Sequence, residues 1–211
     1  MSSAKILPFP LRNPVPGKRN FPEPCDADAL FKRALEAQDR KDLEQAILLY
    51  QKILELDPRM AGAAINLGVI YWHQKKLALA EEYFLRALAT DHRYGLAWYN
   101  LAQCSEKRGC EDEAMSRYRT CVTVSPFYTD AQYNLALLCA RHGLASEALG
   151  CYRFFLEHAP ADDPHRNSAA LAAAILAQND IHAVSALRWE PKPLKPRSRS
   201  ARRRQARERT S

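Results

Sequence analysis

Four alanines, Ala46, Ala80, Ala114 and Ala148, stand 34 residues apart. An aromatic follows each of them four residues later: Tyr50, Phe84, Tyr118 and Tyr152. Pro58, Pro126 and Pro160 lie twelve residues after three of the four alanines. Earlier in the period, the pairs Asn66-Leu67, Asn100-Leu101 and Asn134-Leu135 recur at the same interval. A constant period of this length is the signature of stacked structural modules. It narrows the architecture to a repeat stack and favours a binding surface over an active site.

Each period reads as two amphipathic helices. Ala64, Leu67, Gly68 and Tyr71 follow a three-and-four spacing, as do Ala80, Phe84 and Ala87 beyond a polar break at Gln74, Lys75 and Lys76. Gly109 and Gly143 stand where a helix end favours glycine. The prolines have no N–H for a helix ladder and are expected to stop the second helix of each unit. One helix pair cannot stand alone. Ordering 34 residues costs roughly 1–2 kcal/mol each. At about 25 cal/mol per Å², that demands well over a thousand Å² of apolar burial. Stacking supplies it, because each unit covers its neighbour.

These residues resemble the tetratricopeptide repeat family, whose pattern runs Trp-x2-Leu-Gly-x2-Tyr, Ala-x3-Phe, then Pro. The unit 61–94 has Leu67, Gly68, Tyr71, Ala80, Phe84 and Ala87, with His92 in place of the proline. The unit 95–128 has Trp98, Leu101, Ala102, Ala114, Tyr118 and Pro126. The unit 129–162 has Leu135, Ala136, Ala148, Tyr152 and Pro160. The unit 27–60 keeps the second half, Ala46, Tyr50 and Pro58, but has Arg33 and Ala34 where Leu and Gly usually stand. The resemblance implies an all-α, right-handed superhelical solenoid of antiparallel helix pairs, with four repeats tiling 27–162. A degenerate fifth unit over 163–190 is expected to cap the stack. It comprises an alanine-rich helix from His165 to Gln178, then a short helix that Asp180 can cap, with Ala183 and Leu187 on one face.

Composition separates the body from its tails. The net charge is +7, yet residues from Arg188 onward hold ten basic and two acidic side chains. The repeats, 27–162, hold sixteen basic and eighteen acidic ones and are close to neutral. Residues 1–26 carry six prolines and read as a flexible, extended leader. Its apolar stretch Ile6-Leu-Pro-Phe-Pro-Leu11 is also a candidate ligand for a groove, its own or a partner's. Residues 191–211 are rich in Arg, Ser and Pro and read as disordered. Arg197, Arg199, Arg202, Arg203, Arg204, Arg207 and Arg209 are its candidate contacts to an anionic partner, whether nucleic acid, membrane surface or acidic protein. The tail has no aromatics on which bases could stack. No signal peptide or membrane-spanning stretch is visible, so a cytoplasmic protein is expected. The six cysteines form no Cys-x-x-Cys pair and read as buried, reduced thiols; no metal site is predicted.

The resemblance places unit positions 2, 5, 6, 9, 12 and 13 on the concave face. The candidate groove residues are accordingly Phe31, Lys32, Asn66, Trp72, His73, Tyr99, Asn100, Gln103, Lys107, Tyr133, Asn134 and Arg141. An amide side chain offers one acceptor and two donors, so the asparagine ladder can pair with the N–H and C=O of an extended peptide. The same asparagines can instead bond neighbouring helices, and the sequence leaves both readings open. The carboxylate-gripping cations of co-chaperone members of the family are missing. Phe31, Leu35, Asn66, Leu96 and Asn100 occupy those positions, and only Asn66 agrees.

No glycine-rich phosphate loop, Gly-x-Ser-x-Gly elbow or His-Glu-x-x-His appears, and the histidines are scattered over different units. The reading is a non-catalytic scaffold without cofactor, whose concave groove binds an extended or helical segment of a partner protein. The alternative is a nucleic-acid- or ribosome-associated factor that binds through its Arg-rich tail, with the repeats recruiting or dimerising.

Overall fold

The 34-residue period resolves into helical hairpins. The computed structural model describes residues 27–178. Among them are nine helices: α1 (Ala27–Asp39), α2 (Leu43–Leu56), α3 (Ala61–His73), α4 (Leu77–Thr90), α5 (Gly95–Lys107), α6 (Glu111–Val124), α7 (Thr129–Arg141), α8 (Ala145–His158) and α9 (Arg166–Ala177). Odd-numbered helices α1 to α7 begin 34 residues apart, and so do α2 to α8. Each of α1 to α8 packs most closely on its hairpin partner, and consecutive hairpins meet where α2 adjoins α3, α4 adjoins α5 and α6 adjoins α7. The fold is an all-α solenoid. The leader, the basic tail and the helix expected after Asp180 lie outside the described residues.

The repeated small and large side chains occupy equivalent places. Ala46, Ala80, Ala114 and Ala148 are fully buried, as are Tyr50, Phe84, Tyr118 and Tyr152. Alanine lets the two helices of a hairpin approach, and the ring one turn later fills the space beside it. Closest approach comes at Gly68, where a Cβ would sit 2.6 Å from the Phe84 ring. The apolar interior runs as a ribbon along the stack, with Trp98 of α5 packed against both its N-terminal and C-terminal parts.

The turns inside the hairpins share one geometry. Lys41, Lys75, Gly109 and Gly143 all adopt positive φ, at 63°, 61°, 77° and 72°. After α1, the Lys41 N–H donates to Gln38 O and the Asp42 N–H to Ala37 O. The same pair of bonds follows α3, α5 and α7. These are Schellman ends, which satisfy carbonyls that the helix leaves over. The glycines are where the sequence expects them. At the two lysines the turn is imposed by the fold against local preference.

Proline turns out not to be needed between hairpins. Helix α4 ends at Thr90 without one, at the same point in the period as α2 at Leu56. The Asp91 carboxylate there accepts the Arg93 N–H at 2.9 Å, as Asp57 accepts the Arg59 N–H at 3.0 Å. Such side-chain turns end a helix by offering the backbone another partner. Polar contacts also cross the hairpin boundaries. Arg119 of α6 grips Glu147 of α8 through two bonds of 2.7 and 2.8 Å, while the Cys121 thiol donates to Gly95 O at 3.2 Å within its own hairpin.

Candidate binding groove

Helices α1, α3, α5 and α7 form one row of the solenoid, and they carry every groove residue named from the sequence. Lys32, His73, Lys107 and Arg141 are exposed on this row, and Trp72 is half-buried. Phe31, Tyr99, Gln103 and Tyr133 are buried. The arginines proposed for the tail lie outside the described residues.

The asparagines are not an open ladder of solvent-facing amides. Asn66, Asn100 and Asn134 are each 0% exposed. The Asn66 amide donates to the Tyr50 hydroxyl at 2.9 Å, and that hydroxyl donates to Gln38 Oε1 at 2.9 Å. Two units later the arrangement recurs. The Asn134 amide donates to the Tyr118 hydroxyl at 3.1 Å, and that hydroxyl donates to the Glu106 carboxylate. Each relay ties the first helix of one unit to both helices of the unit before it. Buried polar groups hold together this way because an unmade bond inside costs about 1–3 kcal/mol. Asn100 stands opposite Phe84, which has no hydroxyl, so this relay cannot form there. The bonding of neighbouring helices, left open by the sequence, is therefore the task of Asn66 and Asn134.

The unit without the relay carries different chemistry. Trp72 replaces Gln38 and Glu106 at the equivalent position. Its indole Nε1–H is buried and meets no acceptor among the described residues. The Lys107 ammonium lies 5.6 Å from the centre of its ring, a cation–π arrangement. His73 packs edge-on to the same ring at 5.1 Å. This cluster joins α3 to α5 at one rim of the row. The candidate cation Arg141 has an internal partner instead, since it and its neighbour His142 both reach Glu111 of α6.

Two carboxylates escaped selection from the sequence. Asp130, at position 2 of its unit, is 6% exposed. Glu106 is held above the usual carboxylate range, chiefly by burial, with the Tyr118 hydroxyl bond opposing. Both sit on the groove row, and position 2 is a concave position of the repeat. The thiols of Cys104, Cys121, Cys139 and Cys151 are pushed up to about 12 by burial and are protonated at neutral pH. Among the described residues no three His, Cys, Asp or Glu side chains gather as a metal site. No helix among them is long and apolar enough to cross a membrane.

A family model described as tetratricopeptide repeat matches residues 31–94, the first two hairpins. The described residues have the tetratricopeptide-type fold, and their first two hairpins match the family's own pattern. Solved structures extend the likeness of this repeat protein over most of its length. YrrB, described as a TPR protein with an unusual peptide-binding site, is 24% identical, with a TM-score of 0.60 over 76% of this chain and 81% of YrrB. PilF of Pseudomonas aeruginosa is 26% identical, with a TM-score of 0.61 over 75% of this chain and 70% of PilF. The MamA protein is 18% identical, with a TM-score of 0.57 over 78% of this chain and 98% of MamA. No curated protein sequence matches the chain.

Proposed function

We propose that the protein is a non-catalytic binding module that holds an extended or helical segment of a partner protein along the row α1, α3, α5 and α7. The observation that carries this reading is the cluster at Trp72. A buried indole donor lacking an acceptor in the described chain, flanked by the Lys107 cation, suits a guest that brings a carbonyl oxygen and negative or aromatic character. Gln103 stands one helix on, its amide donating to the Tyr99 hydroxyl at 3.2 Å. The likeness in fold to YrrB, a protein described as having an unusual peptide-binding site, supports a peptide as the class of guest. Phe31, Lys32, His73, Tyr99, Tyr133 and Arg141 complete the proposed surface, with Asn66 and Asn134 fixing the spacing between units.

The test is a peptide selected from a random display library on the full-length protein. Its affinity is expected to fall at least tenfold with Trp72→Ala plus Gln103→Ala. Removal of residues 191–211 should leave it within about twofold. A peptide, or a nucleic acid, whose binding ignores the groove substitutions and disappears with the tail would overturn this reading in favour of recruitment through the tail.

A further inference from the structure

The hairpin tips, where each helix of the groove row turns over into its partner, carry two kinds of cation. At the third and fourth tips the charge is met inside the protein. Arg108 pairs with Glu81 and Glu113, and Arg141 and His142 both reach Glu111. At the first two tips it is not. Arg40, Lys41, His73, Lys75 and Lys76 are exposed there, as is Lys107 at the end of α5. Among the described residues, none of these six cations lies within ion-pair distance of a carboxylate. Residues 73–80 contain no acid. The first tip has Asp39, Asp42 and Glu44, of which Asp42 caps α2 by accepting the Gln45 N–H at 3.1 Å. The division follows the turn residue. Gly109 and Gly143 turn the tips whose cations are paired, and Lys41 and Lys75 turn those whose cations are not. Lysine at positive φ costs stability that glycine would not. A local cost met twice, each time by an exposed positive charge, points to a use for that charge outside the fold.

From this we infer that the edge formed by Lys41, Lys75, Lys76 and Lys107 receives an acidic segment of a partner protein, an extended chain with a carboxylate on about every third residue. The inference rests on the reading of the row as a binding surface, and it names the charge of the guest. Successive hairpins pack about 10 Å apart, and an extended chain advances about 3.3 Å per residue, so side chains three residues apart meet successive tips. The edge also joins the aromatic cluster at the rim. Lys107 lies over Trp72 and His73 packs on the same ring, so a carboxylate paired with Lys107 comes against that cluster. A single exposed ion pair contributes little, which is why the guest needs several carboxylates in a row and why its binding must weaken with salt.

An acidic peptide fits this edge better than a nucleic acid does. Bases need open aromatic faces on which to stack. The rings at this edge, Tyr71 and Trp72, already carry Lys76 and Lys107 at 5.7 and 5.6 Å from their centres. A phosphate backbone needs a broad positive field, whereas the repeats hold eighteen acidic side chains against sixteen basic ones. The positive charge here is local and suits a short anionic segment. Neither end of this chain has that composition. Residues 1–26 carry Lys5, Arg12, Lys18 and Arg19 against Glu23 and Asp26, and 191–211 has Glu208 as its one acid. The guest therefore belongs to another protein.

The test is fluorescence anisotropy of a fluorescein-labelled peptide of repeated Glu-Ser-Leu, titrated at low salt with the full-length protein. Lys41→Gly plus Lys75→Gly plus Lys107→Gln is expected to weaken its binding at least tenfold. Arginine at 41 and 75, with Lys107 kept, should restore it to within about threefold of wild type. The double variant Lys41→Gly plus Lys75→Gly should bind at least threefold more weakly than wild type and yet melt no lower, which separates lost affinity from lost folding. Unchanged affinity in the triple variant overturns the inference and assigns the acidic peptide to the basic tail. A loss of labelled oligothymidylate binding equal to the loss of the peptide also overturns it, by making the edge a nucleic-acid site. The groove reading keeps its own readout. A display-selected peptide that is lost with Trp72→Ala plus Gln103→Ala but ignores the three lysines sinks this inference and leaves the groove standing, whereas one that ignores both sets of substitutions strikes at the groove itself.

Discussion

The two relays give individual side chains a measurable task. Removing Asn134 leaves the Tyr118 hydroxyl one donor short inside the protein, and removing Asn66 does the same to Tyr50. Asn134→Ala and Asn66→Ala are each expected to cost about 1–3 kcal/mol in urea unfolding. Tyr118→Phe combined with Asn134→Ala should cost less than the sum of the two single changes, because the bond they share is lost only once. Equal, additive losses would remove the relay from the account. Glu106 makes a second residue-scale prediction. Its acid form is favoured in the folded state, so its contribution to stability is full below about pH 4.3, the ordinary glutamate value, and is lost as pH rises through the raised folded value. Glu106→Gln keeps the acceptor for Tyr118, as Gln38 already does for Tyr50. The variant should be more stable than wild type at pH 7–8 and match it near pH 4. The sequence showed the asparagines but left their task open. An amide pairs equally well with a peptide backbone and with a tyrosine, and only the crossing of α3 over α2 and of α7 over α6 brings the hydroxyls within reach.

At the scale of the element, the left-handed turn residue of each hairpin is the point where local preference and fold disagree. Glycine adopts positive φ freely, while an L side chain there costs about 1–2 kcal/mol. Lys41→Gly and Lys75→Gly should therefore each stabilise the protein by about 0.5–1 kcal/mol, and Gly109→Lys should destabilise it by a similar amount. Thermal unfolding followed by circular dichroism checks all three; a loss of stability with glycine at 41 or 75 would mean the lysine side chains hold the turn. Helix existence, length and pairing were legible in the sequence, because apolar spacing, turn glycines and the alanine–aromatic pair all repeat in phase. The turns at Lys41 and Lys75 were marked only by polarity, and the end of α4 not by a proline at all. There the Asp91 carboxylate performs the termination, a substitution visible in hindsight as an Asp-x-Arg shared with Asp57.

Across the whole molecule, units that satisfy one another's apolar sides also space their first helices evenly, and that regularity creates the row on which a long, thin guest can lie. The row was legible from the period. The full burial of its asparagines was not, because sequence spacing describes how often units meet and not which side chains close over one another. The most direct measurement places the photo-crosslinking residue benzoylphenylalanine at Trp72, on the row, or at Leu85, exposed on α4, in separate full-length proteins, each with the selected peptide bound. The account predicts a covalent adduct with the peptide from position 72 and none from position 85. An adduct from 85 alone would put the guest on the opposite side of the solenoid and contradict it.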